Sequence, residues 1–206
     1  MLETTSGTDD AKGGYISEAN LSTSSQTTKW QGYYGNVSGH IALEDASGNE
    51  MYNWTWVASN GGEVFAVARG SVPTFTDVDT NDITAADVDT ALTTDGTWSG
   101  TGSDSVAITF GGDNDNSVFN VSGQTVGATS RNKMNTLKSS GGASSFEEVI
   151  LTDQGAISDV SDMIWMCLIN DNAENFKGTT SDYQMIVPTK DSGDATVTYY
   201  FYVELT

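Results

Sequence analysis

The chain has 206 residues, of which 28 are acidic and 8 are basic, for a formal net charge of −20. Such a field repels nucleic-acid phosphates and anionic membrane surfaces, so neither is an expected partner. The single cysteine, Cys167, excludes an internal disulfide and a cysteine metal site. No stretch approaches the roughly 18 apolar residues of a membrane span, so none is expected in this chain.

The first half of the chain has the pattern of short strands. Residues 1–14 are polar and Gly-rich, and they predict a flexible lead-in to a single domain over residues 15–206. "KWQGYYGNVSGHIALE" (29–44) predicts an early strand pair with mainly structural aromatics. Residues 40–44 and 51–57 flank "DASGN" and predict a hairpin, and "GGEVFAVARG" predicts the next strand.

One segment has helical spacing. In "ITAADVDTAL", Thr84 is a suitable cap, Asp87 follows three residues later, and Val88 and Leu92 share an apolar face with Ile83. The pattern predicts a short helical crossover near residues 84–92.

The second half returns to strands. "SVAITFGG", "SVFNVSG", "EEVILTD" and "YQMIVPT" predict short strands, whereas "SRNKMNTLK" is typical of a solvated loop. "DMIWMCLI" is nearly continuous in apolar residues, which predicts a strand buried on both faces and an inert, buried Cys167. With strands so dominant, we expect an all-β fold, a β-sandwich of short antiparallel strands with one helical crossover.

The last strand has the clearest alternation. In "ATVTYYFYVELT", the face that begins with Val197 is apolar, and Tyr200 and Tyr202 lie on the other face. Either this strand is central with a second layer over its tyrosine face, or it pairs with a neighbouring subunit. We expect the first arrangement, because a terminal strand with a full apolar face usually completes its own sheet.

Two Asp-rich loops are candidate calcium sites. Asp77, Asp79 and Asn81 have the alternating spacing of a calcium loop, so Ca²⁺ is the cofactor they would hold. The turn glycine and the closing bidentate acid of that pattern are absent. The segment "GGDNDNSVF" has the same alternating spacing at Asp113, Asp115 and Ser117. Asp and Asn are also ordinary turn formers, which is the alternative interpretation of both loops.

Catalytic residues are not expected. The only histidine, His40, lies at a strand start and has no nucleophile signature near it. Glu147 and Glu148 are neighbours on a predicted strand, so they point to opposite faces and form a poor acid–base pair.

Other features are typical of an exported protein. Four sequons predict glycosylation at Asn20, Asn36, Asn53 and Asn120. Six aromatic residues would be able to form a sugar-stacking platform, although aromatics spaced two apart on strands more often pack in a core. They are Trp30, Tyr33, Tyr34, Trp54, Trp56 and Trp98.

Five segments resemble a family of secreted archaeal surface proteins whose members look like the head domains of type IV pilin-like proteins. The segments are "WQGYYGNVSGHIALEDASGNEMYNW" (30–54), "ITAADVDTALTTDGTWSGTGSDSVAITF" (83–110), "SFEEVILTD" (145–153), "CLINDNAENFKGTTSDYQMIVPT" (167–189) and "TYYFYVEL" (198–205). Those proteins are anchored by an N-terminal hydrophobic helix, whereas this chain begins with polar residues. The resemblance implies no catalytic residues.

These observations favour a non-enzymatic extracellular structural subunit, pilin-like or otherwise part of a cell surface. Its expected partners are further copies of itself or other surface proteins. The alternative is a carbohydrate-binding or adhesion module of a secreted protein, with sugars as partners.

The net charge predicts a response to salt. The melting temperature should rise between low and molar monovalent salt, because screening relieves repulsion within the compact state. Thermal unfolding across a NaCl series measures this response. A melting temperature that stays flat or falls would show that repulsion among the acidic side chains does not limit the stability of the fold.

Overall fold

The structure, a computed structural model, describes most of the chain after residue 26. The described residues are 27, 29–38, 40–57, 61–78, 83–94, 102, 104–111, 116–128, 133–137, 142–189 and 196–205, with the backbone alone for 40–42, 52–57 and 77.

The described residues form thirteen strands and two short helices. The strands are β1 (Trp30–Gly35), β2 (His40–Glu44), β3 (Glu50–Val57), β4 (Gly62–Val67), β5 (Phe119–Val121), β6 (Gln124–Val126), β7 (Lys133–Leu137), β8 (Ala143–Thr152), β9 (Met163–Leu168), β10 (Ala173–Glu174), β11 (Thr180–Ser181), β12 (Tyr183–Pro188) and β13 (Tyr200–Leu205). The helices are α1 (Ala85–Thr94) and α2 (Val106–Thr109), and single 3-10 turns lie at Phe75–Asp77 and Val160–Asp162. The predicted all-β fold of antiparallel strands is confirmed.

A five-stranded antiparallel sheet forms the centre of the fold. Its strand order is β13-β4-β9-β8-β7. Both of its faces are buried: on β9, Trp165 and Cys167 belong to one core cluster, and Ile164 and Met166 belong to the other. This arrangement confirms the prediction that "DMIWMCLI" is buried on both faces, and it explains the nearly continuous apolar run.

The first face is covered by a two-stranded ribbon and by the helices. The ribbon pairs β1 with β12, and Met185 and Val187 of β12 enter the core. The two strands predicted within residues 29–44 both form, but they do not pair with each other: β1 pairs with β12, and β2 pairs with β3. Trp30 packs edge-on against Trp165 at 5.7 Å between ring centroids, so this aromatic is structural as predicted.

The second face is covered by the β5–β6 hairpin and the turn at Phe75–Asp77. Phe119, Val121 and Val126 of the hairpin pack in one cluster with Phe65 and Phe75. Residues of a short hairpin cannot form a core alone, so its burial against the sheet is what stabilises it.

Helix α1 confirms the predicted crossover. The Asp87 backbone N–H donates to the Thr84 hydroxyl at 3.2 Å, and the Thr84 N–H donates to the Asp87 carboxylate at 2.9 Å. This reciprocal capping satisfies two donors at the start of the helix. Val88, Ala91 and Leu92 are buried in the first core cluster.

The strand predicted at "SVAITFGG" is wrong, because residues Val106–Thr109 form α2. Ser105 caps the helix, and the buried Asp89 carboxylate accepts from the Val106 N–H at 2.8 Å. Val106 and Phe110, four residues apart, are buried, whereas Ile108 is exposed. The alternation that suggested a strand thus arises from a single helical turn.

The loop predicted at "SRNKMNTLK" is also wrong in its central part. Residues Lys133–Leu137 form β7, which pairs with β8 across a bulge between Asn135 and Leu137. The Lys133 ammonium lies 3.9 Å from the Glu147 carboxylate, so this lysine forms an ion pair within the sheet.

Among the helices described, none is long and apolar enough to cross a membrane.

Candidate functional site

The predicted calcium residues fall largely outside the described part of the chain. Asp77 ends a 3-10 turn and its side chain is not described, whereas Asp79 and Asn81 lie outside the described residues. Asp113 and Asp115 lie outside them too, and the Ser117 N–H donates to Glu147 at 2.6 Å. Within the described ranges, no three His, Cys, Asp or Glu side chains lie close enough to hold a metal ion.

Two of the four predicted glycosylation residues are described with their side chains. Asn36 follows β1 and Asn120 lies in β5, and both are exposed. Asn53 lies in β3, where only the backbone is described, and Asn20 is outside the described residues. The two placed asparagines are therefore accessible to a modifying enzyme.

The six aromatics of the predicted sugar platform do not share one surface as far as they are described. Trp30 and Tyr33 are partly buried and pack against the first core cluster, whereas Tyr34 is exposed. The Trp30 indole N–H donates to the Asp104 carbonyl at 2.9 Å, which fixes its position. The side chains of Trp54 and Trp56 are not described, and Trp98 lies outside the described residues.

Glu147 and Glu148 point to opposite faces of β8, as predicted. Glu147 faces the second side of the sheet and accepts from the backbone N–H and the hydroxyl of Ser117. Glu148 is fully buried under the ribbon, where its Oε2 accepts from the Ile186 N–H at 2.9 Å. Its Oε1 has no hydrogen-bond partner in the described part of the chain.

Burial raises the pKa of two groups that lie opposite each other on β8 and β9, the Glu148 carboxyl and the Cys167 thiol. It raises the pKa of Glu148 well above the ordinary 4.5, and the bond from Ile186 only partly opposes this shift. Burial also raises the pKa of the Cys167 thiol, which pairs with Glu148 in register. The predicted burial of Cys167 is confirmed, and a raised pKa disfavours the reactive thiolate.

A second buried carboxyl lies beside β13. Glu63 of β4 is opposite Glu204 of β13, and burial together with the Glu204 charge raises the pKa of Glu63 to about 8. Glu204 accepts from the Ser122 N–H at 2.8 and 2.9 Å, which ties β13 to the β5–β6 hairpin.

The last strand is at an edge of the sheet, so the expectation of a central strand is wrong. β13 pairs with β4, and no other described strand lies along its outer side. Tyr202 stacks on Phe65 at 5.4 Å, whereas Phe201 and Val203 are 41% and 51% exposed. Tyr200, on the same face as Tyr202, is 47% exposed, so both faces of the strand are only partly covered. We call the outer side of Tyr200–Leu205 the β13 edge.

The opposite edge of the sheet, at β7, is protected. It contains a bulge and Lys133, and the Gln184 side-chain amide of β12 donates to the Leu137 carbonyl at 2.8 Å. Bulges, lysines and side-chain caps are devices that prevent strands of other molecules from adding to a sheet. Residues 200–205 contain neither lysine nor proline, and their register with β4 is regular.

A cleft of about 540 Å³ lies between the ribbon and β7. Its lining is residues 31–34 of β1, 134–137 of β7 and 184–186 of β12, together with Thr109 and Phe176. Tyr34 and Phe176 meet edge to face at 5.1 Å, and the Lys177 ammonium lies 5.3 Å from the centre of the Tyr34 ring. Sequence reasoning missed Phe176 and Lys177, because they lie in a turn with no periodic pattern.

No known protein family, curated protein or solved structure matches the chain.

The two buried carboxyls predict that stability falls as pH rises from about 5 to 8. In the unfolded chain both groups release their protons near the ordinary pKa of 4.5, while the folded chain keeps them. The stabilisation is complete below that pKa and is lost as pH rises towards the folded values, with a slope of up to about 1.4 kcal/mol per pH unit for Glu148. Denaturant unfolding at constant ionic strength measures the slope.

The variant Glu148→Gln should flatten this slope, because an amide keeps an oxygen for the Ile186 N–H and does not titrate. Glu44→Gln, at an exposed position, is the matched control and should leave the slope unchanged. An unaltered slope in Glu148→Gln would show that this carboxyl is ionised in the folded protein.

Proposed function

We propose that the chain is a non-enzymatic extracellular structural subunit, part of a cell surface, that associates with a second copy of itself through the β13 edge. The observation that carries the proposal is the exposure of Phe201 and Val203 on an edge strand with no described neighbour on its outer side. Unpaired backbone groups flanked by apolar side chains are a template for strand addition.

The contrast between the two edges supports this proposal. The β7 edge has a bulge, a lysine and a side-chain cap, and the β13 edge has none of them among its described residues. A chain that needed to stay monomeric would gain from protecting both edges equally. The unequal protection of the two edges fits a chain that associates through one edge of its sheet.

A second copy is a suitable partner for this edge. In an antiparallel, two-fold pairing centred on Val203, Phe201 lies opposite Leu205 of the other copy, so apolar side chains meet. The only charged residue of the strand, Glu204, is then about 7 Å along the strand from its counterpart. A parallel, in-register pairing would place the two carboxylates about 5 Å apart.

The remaining surface suits an exported protein. Asn36 and Asn120 are exposed sequon residues, and a net charge of −20 keeps the surface hydrated outside the paired edge.

The variant Val203→Lys tests the association. A lysine opposite its own counterpart should reduce dimerisation by at least tenfold, because it places two desolvated like charges together. Val203 is half exposed, so the melting temperature should change little. Light scattering and analytical ultracentrifugation over a concentration series measure the dimer.

Leu137→Lys is the matched control, since Leu137 is an exposed apolar residue on the protected β7 edge. It should dimerise like the parent. A parent chain that stays monomeric at all concentrations, or equal effects of the two variants, would overturn the self-association.

The surface location has its own test. Electron microscopy of native cells with a gold-labelled antibody against this chain should decorate the outer surface. Label confined to the cell interior would contradict the extracellular assignment, whatever the oligomeric state of the purified chain.

A further inference from the structure

We propose that the cleft between the β1–β12 ribbon and β7 binds a small amphiphilic anion, a free molecule with an apolar body and one anionic group. Its volume of about 540 Å³ lies within the range of small-molecule sites in proteins, which are mostly apolar with few polar groups. This site is separate in role from the β13 edge, and its ligand chemistry follows from three observations.

The polar groups in the floor of the cleft are already satisfied. The Gln184 amide nitrogen donates to the Thr136 hydroxyl and to the Leu137 carbonyl, both at 2.8 Å. Its amide oxygen accepts from the Phe176 N–H at 2.7 Å. The Thr136 hydroxyl also shares a hydrogen bond with Ser144 at 2.9 Å. An apolar ligand can therefore cover these groups without leaving any of them unpaired.

The surroundings of this floor are apolar and adaptable. Met134 and Ile186 line the cleft, and a flexible methionine side chain fills irregular space around ligands of different shape. Tyr34 and Phe176, both exposed, add two aromatic rings. A hydroxyl-rich sugar would bury its hydroxyls against Met134 and Ile186, which would cost free energy because these side chains offer no strong hydrogen bonds.

The charge around the cleft is unlike that of the rest of the chain. The chain has 28 acidic residues, yet none is found among the described residues that line the cleft. The Lys177 ammonium lies over both rings, 5.3 Å from the centre of Tyr34 and 5.8 Å from the centre of Phe176. At physiological or higher salt, exposed charges more than about 8 Å apart are largely screened, so a ligand charge near these rings responds mainly to nearby groups such as the Lys177 ammonium.

These observations select the ligand class. The apolar lining favours an acyl or aromatic body, and the cation beside the rings favours a carboxylate or sulfonate at the end that reaches Lys177. A cationic amphiphile would meet Lys177 without a compensating carboxylate in the lining.

Dodecanoate, below its micellar concentration and in 0.5 M NaCl, is a suitable probe for calorimetric titration of the full chain. We expect one binding site per chain and at least tenfold weaker binding of dodecyltrimethylammonium under the same conditions. Phe176→Ala and Lys177→Gln should each weaken dodecanoate binding by about tenfold. Lys177→Gln should also remove most of the preference for the anionic probe, which a purely apolar cleft would not show.

Leu43→Ala is the matched control, because Leu43 is an exposed apolar residue that does not line the cleft. Its dodecanoate affinity should equal that of the parent. The absence of dodecanoate binding, equal affinities in all variants, or equal binding of the cationic probe would overturn the proposal. Binding of maltose, or of anionic lipid vesicles without monomeric dodecanoate, would overturn it in favour of a sugar or a membrane surface.

Discussion

The central sheet must be covered on both faces, and the positions of the other elements follow from this constraint. On β9, Trp165 faces one core cluster and Met166 faces the other, so neither side can be left to water. The ribbon over the first face is linked to the sheet by a polar contact, the bond from the Ile186 N–H to Glu148. Burial raises the pKa of that carboxyl and so favours its neutral form, which joins two buried layers at a lower desolvation cost than a charged carboxylate would.

The sequence predicts those elements whose pattern is local. The apolar run of β9 indicates burial on both faces, and the reciprocal capping of Thr84 and Asp87 marks the start of α1. Helix α2 is missed because a buried carboxylate from α1, Asp89, binds its first N–H group. A tertiary contact of this kind outweighs the residue pattern of a four-residue segment. The residues around that segment give no indication that Asp89 will contact it.

The position of a strand within its sheet cannot be predicted from the pattern of the strand alone. Alternation along β13 shows that its two faces differ, but the number of strands beside it depends on segments far away in the chain. The pairing of β1 with β12 illustrates the same point, because Trp30 lies opposite Pro188. Glu148 was expected on a strand face, and its complete burial follows only once the ribbon lies over that face.

Both candidate surfaces arise because a two-stranded ribbon is narrower than the sheet that it covers. Five strands span about 20 Å between the outer strand axes, and two strands span about 5 Å. Strand β12 contacts β9, β8 and β7, and the helices fill part of the remaining first face. At one end of the sheet, Phe201 packs against Tyr33 at 4.8 Å between ring centroids and stays 41% exposed. At the other end, the ribbon reaches β7 through the Gln184 amide and leaves the cleft beside it. Both proposed surfaces thus lie where the covering layer ends in the described part of the chain.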